Sequence, residues 1–233
     1  MNSKTPDSVF SSLGELAASI GHELRNPLGV IDASVFLLRK RIGTEPELAA
    51  HLDRIASQVR ISSQIIDDLL AIARDQPPRL EDVDVAQLLE QVLAAVPASP
   101  GVRVSLVLPP ELPLLRADRG QLRQVLVNLL TNAVDAVGEE GRIQIECKLE
   151  GGELVLLVGD DGPGIDPALG DRIFAPLVTT KERGVGLGLS LCRRLIERAG
   201  GTVGLEPGPL PGATFAVRLP LEPAADPRPA GER

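Results

Sequence analysis

The chain has 233 residues, of which 43% are hydrophobic and 2% aromatic, and a formal net charge of −8. This length and hydrophobic content are enough for two modest domains. The net negative charge argues against binding of nucleic acid or anionic lipid, and the lack of Trp and Tyr argues against binding of single-stranded nucleic acid. Two cysteines are too few for a disulfide framework or a metal cluster, and no apolar run reaches the length of a membrane span, so a soluble, cytoplasmic chain is expected.

The first predicted element is a long helix over residues 8–42. Its apolar residues are spaced as in a helix that packs on other helices: Leu13, Ala17, Ile20, Leu24, Ile31 and Leu38. His22 lies two residues from both Ile20 and Leu24 and is therefore predicted to face solvent. A neutral imidazole is a nucleophile near neutral pH, and the adjacent Glu23 can accept its proton. A solvated surface histidine beside an acid would give the same pattern.

A second helix is predicted after Gly43, with Thr44 as its cap, ending near residue 73. Its heptad positions alternate gaps of four and three residues: Leu48, Leu52, Ile55, Val59, Ser62, Ile66, Leu69 and Ala73. The two helices predict a hairpin. Because a lone hairpin leaves apolar surface in water, we expect a homodimer with a four-helix bundle; the alternative is a monomer whose hairpin packs on its own second domain.

The turn-rich segment at residues 75–79 predicts a linker, after which helices and strands alternate. Helices are predicted near residues 85–96, 119–137 and 187–199, and strands near 102–108, 142–149 and 154–159, with two strands closing the fold. This order favours an α/β sandwich. The predicted domains are residues 1–76 and 77–221, followed by a proline-rich, charged and disordered tail at 222–233.

A polar row is predicted on the helix at 119–137. Asn128, Asn132 and Asp135 recur at helical spacing opposite an apolar face. Amide oxygens are hard ligands that suit Mg²⁺, which usually keeps water and bridges phosphates. An ordinary solvated helix face would explain the row as well.

A second polar segment follows the strand predicted at 154–159. Asp160 could accept a hydrogen bond from an exocyclic amine of a nucleotide base. Gly162 and Gly164 allow the backbone to come close to a ligand. The same letters are also typical of a tight structural turn.

A third segment combines hydroxyls, a cation and alternate glycines just before a helix, where backbone N–H groups can hold phosphate. Its candidate residues are Thr179, Thr180, Lys181, Gly184, Gly186, Leu187 and Gly188. The spacing fits neither a P-loop nor a dinucleotide-binding fingerprint. A flexible glycine loop without a ligand remains the alternative.

In this order the segments resemble the transmitter core of sensor histidine kinases of two-component systems, over about residues 10–220. S-I-G-H-E-L-R-N-P-L is similar to the H box of that family, residues 124–136 to its N box, D-D-G-P-G-I to its G1 box, I-F-A-P-L-V-T-T-K to its F box and G-V-G-L-G-L to its G2 box. The resemblance implies a dimerisation and phosphoacceptor hairpin, then the Bergerat-type ATP-binding fold shared with gyrase, MutL and a heat-shock chaperone.

The resemblance also implies roles for individual residues. His22 would accept the phosphoryl group of ATP, with Glu23 as proton acceptor, and pass it to an aspartate on the receiver domain of a response regulator. Asn132 would be the principal Mg²⁺ ligand, with Asn128 assisting, and Asp160 would bind the adenine amino group. Asn26 would orient water for dephosphorylation of the regulator.

Two other functions share these features. An ATPase of the same fold would hydrolyse ATP, but Asn128 stands where such enzymes carry a catalytic glutamate, and an amide cannot deprotonate water. A degenerate phosphotransfer scaffold is opposed by the intact Asn132, Asp160 and G2 glycines. Leu177 and Val178 replace frequent aromatics of the F box, and the predicted ATP lid is short. The sensory input is expected from a separate protein or from an input domain outside this chain.

Overall fold

A computed structural model of the chain describes residues 24, 26–40, 46–73, 78–96, 98–179 and 186–221. These residues fall into two units. The first comprises the described residues up to 73 together with 176–179 and 186–187, and the second comprises residues 78–175 and 188–221. The predicted start of the first helix and the predicted tail at 222–233 lie outside the described residues.

The first unit contains two helices, α1 (residues 26–40) and α2 (Pro46–Ala73). Val35 of α1 packs with Leu52 and Ala56 of α2 in a buried cluster, and Arg39 forms an ion pair with Asp53. The predicted packing of two helices is confirmed for this part of the chain. No described helix is both long and apolar enough to cross a membrane.

The second unit is a sheet with helices packed on it. In chain order its elements are β1 (Glu81–Val83), α3 (Val85–Ala95), β2 (Gly101–Val107), β3 (Leu115–Ala117), α4 (Arg119–Val137), β4 (Glu140–Glu150), β5 (Glu153–Asp160), a 3-10 helix (Gly170–Phe174), α5 (Gly188–Arg198), β6 (Thr202–Leu205) and β7 (Thr214–Pro220). Five strands form one sheet in the order β2-β4-β5-β7-β6. Only the β2–β4 pairing in this sheet is parallel. The predicted α/β sandwich is confirmed.

The central strand β5 is buried on both faces. Leu154, Leu156 and Val158 share one face, because side chains alternate along a strand, and α4 packs on this strand. Val155 and Leu157, on the other face, form a second buried cluster with Ala216 of β7. Burial on two sides explains the continuous apolar run that precedes Asp160 in the sequence.

Helix α4 begins where the sequence predicts, because Asp118 caps it. The Asp118 carboxylate accepts a hydrogen bond from the backbone N–H of Gln121 (3.0 Å) through Oδ1 and one from the backbone N–H of Arg79 (2.9 Å) through Oδ2. The helix ends at Gly138, whose positive φ of 69° a residue with a side chain rarely adopts. The helix that carries the asparagine row is therefore fixed at both ends.

Three short elements are absent from the prediction. β1 and β3 form a separate antiparallel ribbon, with Glu81 opposite Ala117 and Val83 opposite Leu115, and the 3-10 helix follows the G1-like segment. Strands of three residues contain too few positions for a periodic signal. Their pairing depends on residues that are more than 30 positions apart in sequence.

Candidate functional site

Asp160, the last residue of β5, is a buried carboxylate with 2% of its surface exposed. Its Oδ1 accepts hydrogen bonds from the backbone N–H groups of Gly162 (2.9 Å) and Ala213 (3.2 Å). Burial raises the pKa of Asp160 above its usual value, against the opposing effect of these two hydrogen bonds. Since both bonds from described residues reach Oδ1, Oδ2 is the oxygen that can accept a hydrogen bond from a ligand.

The backbone around Asp160 is held from two sides. Its N–H donates to the carbonyl of Ala213 (3.0 Å), and its own carbonyl accepts from the N–H of Gly212 (3.0 Å). On the opposite side, a Cβ at Gly162 would lie 2.9 Å from the carbonyl oxygen of Ala136 in α4. Glycine at 162 therefore lets the turn lie directly against α4. The predicted Gly164 is half-buried in the same turn, with a φ of +75°.

The asparagines of α4 differ in their surroundings. Asn128 is buried, and its Nδ2 donates to the carbonyl of Gly188 at the start of α5 (3.4 Å). Asn132, one turn further on, is half-buried, and Asp135 is exposed. The interpretation of this row as an ordinary solvated face is therefore wrong at Asn128. The contact of Gly162 with Ala136 joins the same helix to the Asp160 turn.

Thr214, the first residue of β7, is a candidate that the sequence interpretation missed. It is 2% exposed, and its hydroxyl has no hydrogen-bond partner among the described residues. It lies opposite Gly159, next to Asp160, and a Cβ at 159 would be 2.9 Å from its Oγ1. Buried hydroxyls are normally satisfied, so this one can bond to a ligand or a water beside Asp160. A single hydroxyl in the otherwise apolar segment A-T-F-A-V was the available signal.

The predicted phosphate segment is described only at its ends. Leu177 donates its N–H to the carbonyl of Gly186 (2.9 Å), and a Cβ at Gly186 would lie 2.5 Å from the carbonyl oxygen of Val178. Thr179 is exposed and Leu187 is buried. The structure thus brings residues 177 and 186 together. Thr180, Lys181 and Gly184 lie outside the described residues, as do His22 and Glu23, whereas Asn26 is exposed on α1.

Two family models match the chain in succession. Residues 12–78 match the His Kinase A (phospho-acceptor) domain. Residues 117–223 match the histidine kinase-, DNA gyrase B- and HSP90-like ATPase. His22 and Asn26 fall within the first range, and the asparagines of α4, Asp160 and Thr214 fall within the second.

Individual relatives agree with these models. The chain is 36% identical over 218 residues to the signal transduction histidine-protein kinase AtoS of Escherichia coli, covering 92% of this chain and 36% of AtoS. The structure of full-length ShkA in complex with AMPPNP has a TM-score of 0.69 at 30% identity, covering 92% of this chain and 47% of that one. The structure of histidine kinase ThkA in complex with the response regulator TrrA has a TM-score of 0.65 at 26% identity, covering 94% of this chain and 65% of that one.

The chain spans about a third of AtoS and about half of ShkA. The shared part comprises a phospho-acceptor domain followed by an ATPase domain, in the order that the sequence motifs predict. The chain therefore belongs to the sensor histidine kinases of two-component systems and contains their transmitter core.

Proposed function

We propose that this chain is an ATP-dependent autokinase that phosphorylates His22 and passes the phosphoryl group to an aspartate of a response regulator. The observation that carries the proposal is that His22 lies within the phospho-acceptor match of the same chain that holds the buried Asp160 carboxylate. The functional domains would be residues 1–76 and 77–221. The complex of the similar kinase ThkA with a response regulator supports this class of partner.

In this proposal Asp160 binds ATP through the exocyclic amine of adenine. Its buried carboxylate has one oxygen, Oδ1, held by backbone N–H groups, which directs the other toward a donor on the ligand. The phosphates would lie at the segment 179–188, where Lys181 and the N-terminus of α5 favour negative charge. The binding of AMPPNP, an ATP analogue, by the similar ShkA supports this ligand class.

The donor set near α4 fits Mg²⁺. Asn132 would be the principal ligand and Asn128 would assist, because the amide nitrogen of Asn128 donates to Gly188 and its oxygen is the atom suited to a cation. No group of three or more His, Cys, Asp or Glu side chains in the described part of the chain is placed to hold a metal. Phosphate oxygens and water would complete the coordination, and the ion would neutralise phosphate charge during transfer.

In the proposed transfer a side chain of the protein itself is the nucleophile. An imidazole nitrogen of His22 forms a bond to the γ-phosphorus as the bond to the leaving oxygen of ADP breaks, and Glu23 accepts the proton from the other imidazole nitrogen. Asn128 offers no general base for water, since its amide cannot take up a proton at neutral pH. The γ-phosphoryl group is thereby reserved for the histidine.

The proposal is tested by incubating the chain with γ-labelled ATP and Mg²⁺ and then treating the product with acid or alkali. A phosphohistidine is expected to lose its label in acid and to keep it in alkali. An acid-stable label would identify a serine or threonine ester and would contradict the proposal.

We also propose that the chain works as a homodimer. Leu24, Ile31 and Leu38 recur at intervals of seven residues, and each is 42–45% exposed in the single chain. A stripe of this kind is typical of a helix that packs in a bundle. A second copy, placing its two helices against this stripe, would bury it in a four-helix bundle.

Ile31→Lys is expected to convert the dimer to a monomer, because an unpaired charge in a bundle core costs several kcal/mol. Size-exclusion chromatography with light scattering would measure the molecular mass of the protein in solution. Val30→Lys is the control, since Val30 is 67% exposed and lies beside the stripe; it should leave the dimer intact. A dimer that survives Ile31→Lys would rule out this interface.

Asn26 is proposed to support a second activity, dephosphorylation of the regulator. It lies one helical turn after His22 and is exposed on α1, so both side chains would face a docked receiver domain. Asn26→Ala is expected to leave labelling of His22 intact and to slow loss of phosphate from the regulator about tenfold or more. Ser34→Ala, at another exposed polar position of α1, is the control. Equal dephosphorylation rates for Asn26→Ala and wild type would exclude this role.

A further inference from the structure

Asp161, the residue after Asp160, is joined to Arg142 of β4 by three hydrogen bonds. Its Oδ1 accepts the backbone N–H of Arg142 (2.7 Å), and its Oδ2 accepts the Nε–H of the same residue (2.9 Å). The N–H of Asp161 donates to the carbonyl of Arg142 (3.1 Å). Both carboxylate oxygens of Asp161 are therefore engaged within the protein.

These bonds lie just beyond the last residue pair of strands β4 and β5, in which Ile143 is opposite Asp160. The side chain of Asp161 thus continues the pairing by one residue after the strand has ended. Space there is tight: a Cβ on Gly141 would lie 2.7 Å from Asp161 Oδ1 and 2.7 Å from the Cβ of Val137. The turn is held by β4 at Asp161 and by α4 at Gly162.

The charges of the two neighbouring carboxylates have different roles. Hydrogen bonds from Arg142 lower the pKa of Asp161, so this group is ionised at neutral pH. Its negative charge adds to the larger effect of burial in raising the pKa of Asp160. The side chain of Asp161 is 18% exposed and that of Arg142 is 60% exposed, and an ion pair with such an open partner contributes little to stability by charge alone. The main effect of the pairing between Asp161 and Arg142 is on the position of the backbone after Asp160.

We infer that Asp161 is a positioning residue for nucleotide binding, which fixes through Arg142 the backbone from which Asp160 meets the amine of adenine. The inference rests on the proposed function, because it assigns a role within the same nucleotide site. Without the two bonds of the Asp161 carboxylate, the turn after Asp160 would keep its attachments to Ala213 and α4. Its attachment to β4 would be reduced to the backbone bond between Asp161 and Arg142. The carboxylate would then spend less time in the orientation that the base requires.

The experiment measures the affinity of the whole chain for ADP with Mg²⁺ by calorimetry, and the KM for ATP and kcat of autophosphorylation. Asp161→Ala is expected to weaken ADP binding and raise KM about tenfold, with kcat at saturating ATP unchanged. Asp161→Asn, which keeps an acceptor for the Arg142 N–H, and Arg142→Ala, which removes the guanidinium, should each weaken binding about threefold. Asp82→Ala removes an exposed ion pair with Arg116 in the β1–β3 ribbon and should change neither value.

A merely structural role would appear differently. Loss of folded protein lowers kcat in proportion and leaves KM unchanged, and that result, or an unchanged ADP affinity in Asp161→Ala, would overturn the inference. If Asp161→Ala does not fold, wild-type affinity in both Asp161→Asn and Arg142→Ala would overturn it. A wild-type chain that binds no ADP would instead refute the proposed function, so the two failures are distinguishable.

Discussion

Replacing His22 by alanine is expected to abolish transfer of label from γ-labelled ATP to the chain, while ATP binding stays at the wild-type level. The side chain removed is the proposed nucleophile, and no other group would form the phosphoramidate. The second histidine provides the control: His51, exposed on α2, can be replaced by alanine with no loss of label. Autoradiography and nucleotide calorimetry on the same preparations give the two readings.

The same variant separates this function from its rivals. If the chain were an ATPase of the same fold, steady release of phosphate would continue in His22→Ala at the wild-type rate. If it were a degenerate scaffold, the wild-type chain would bind no ATP with Mg²⁺. Retained labelling of His22→Ala would place the acceptor elsewhere and would contradict the assignment of this residue.

Asp160→Asn is expected to weaken ATP binding about a hundredfold, because removing one charged partner of a buried hydrogen bond costs about 2–4 kcal/mol. Asparagine can keep the bonds from Gly162 and Ala213 on its oxygen, but it turns an amide donor toward the adenine amine, where an acceptor is needed. Calorimetric titration with ATP and Mg²⁺ measures the loss. Asp171→Asn, at an exposed carboxylate paired with Arg193, is the control. Wild-type affinity for ATP in Asp160→Asn would show that Asp160 does not bind the nucleotide.

The raised pKa of Asp160 also predicts how the free energy of unfolding and the affinity for ATP change with pH. Burial makes the pKa of Asp160 higher in the folded chain than in the unfolded chain. At a pH between these two pKa values, the folded chain holds a proton on Asp160 that the unfolded chain has lost. The contribution of Asp160 to the free energy of unfolding therefore falls as pH rises through that interval. Asp160→Asn should accordingly unfold at the same temperature as the wild type or a higher one at neutral pH. ATP affinity of the wild type should fall as pH decreases and the carboxylate takes up its proton.

Sequence patterns predicted much of this architecture because their causes are local. The apolar run before Asp160 belongs to a strand that is buried on both faces, and α4 starts at its predicted residue because Asp118 caps it within three residues. The heptads predicted that two helices pack together and placed Leu52 in the contact, but its partners Val35 and Ala56 lie outside the predicted stripes. The predicted stripe residues Leu24, Ile31 and Leu38 are exposed in the single chain. The confirmed features depend on periodicity, capping and composition, which neighbouring residues determine.

The features that were missed depend on contacts between distant residues. The buried Asn128 donates to the carbonyl of Gly188, which is 60 positions away. The ribbon of β1 and β3 also forms over a long separation. Thr214 becomes notable only when β7 places it opposite Gly159. Arg142 meets Asp161 because β4 and β5 pair in one register. Sequence motifs predict which segments carry ligand-binding residues, whereas contacts such as that of Arg142 with Asp161 are visible only in the structure.

The central claim is that the γ-phosphoryl group of ATP is transferred to His22. The most direct measurement is mass spectrometry of tryptic peptides prepared under alkaline conditions after incubation with ATP and Mg²⁺. The two histidines fall in different peptides, at residues 5–25 and 42–54. The account predicts one phosphoryl group on the peptide with His22 and none on the peptide with His51. An unmodified His22 peptide from nucleotide-loaded, dimeric protein would contradict it.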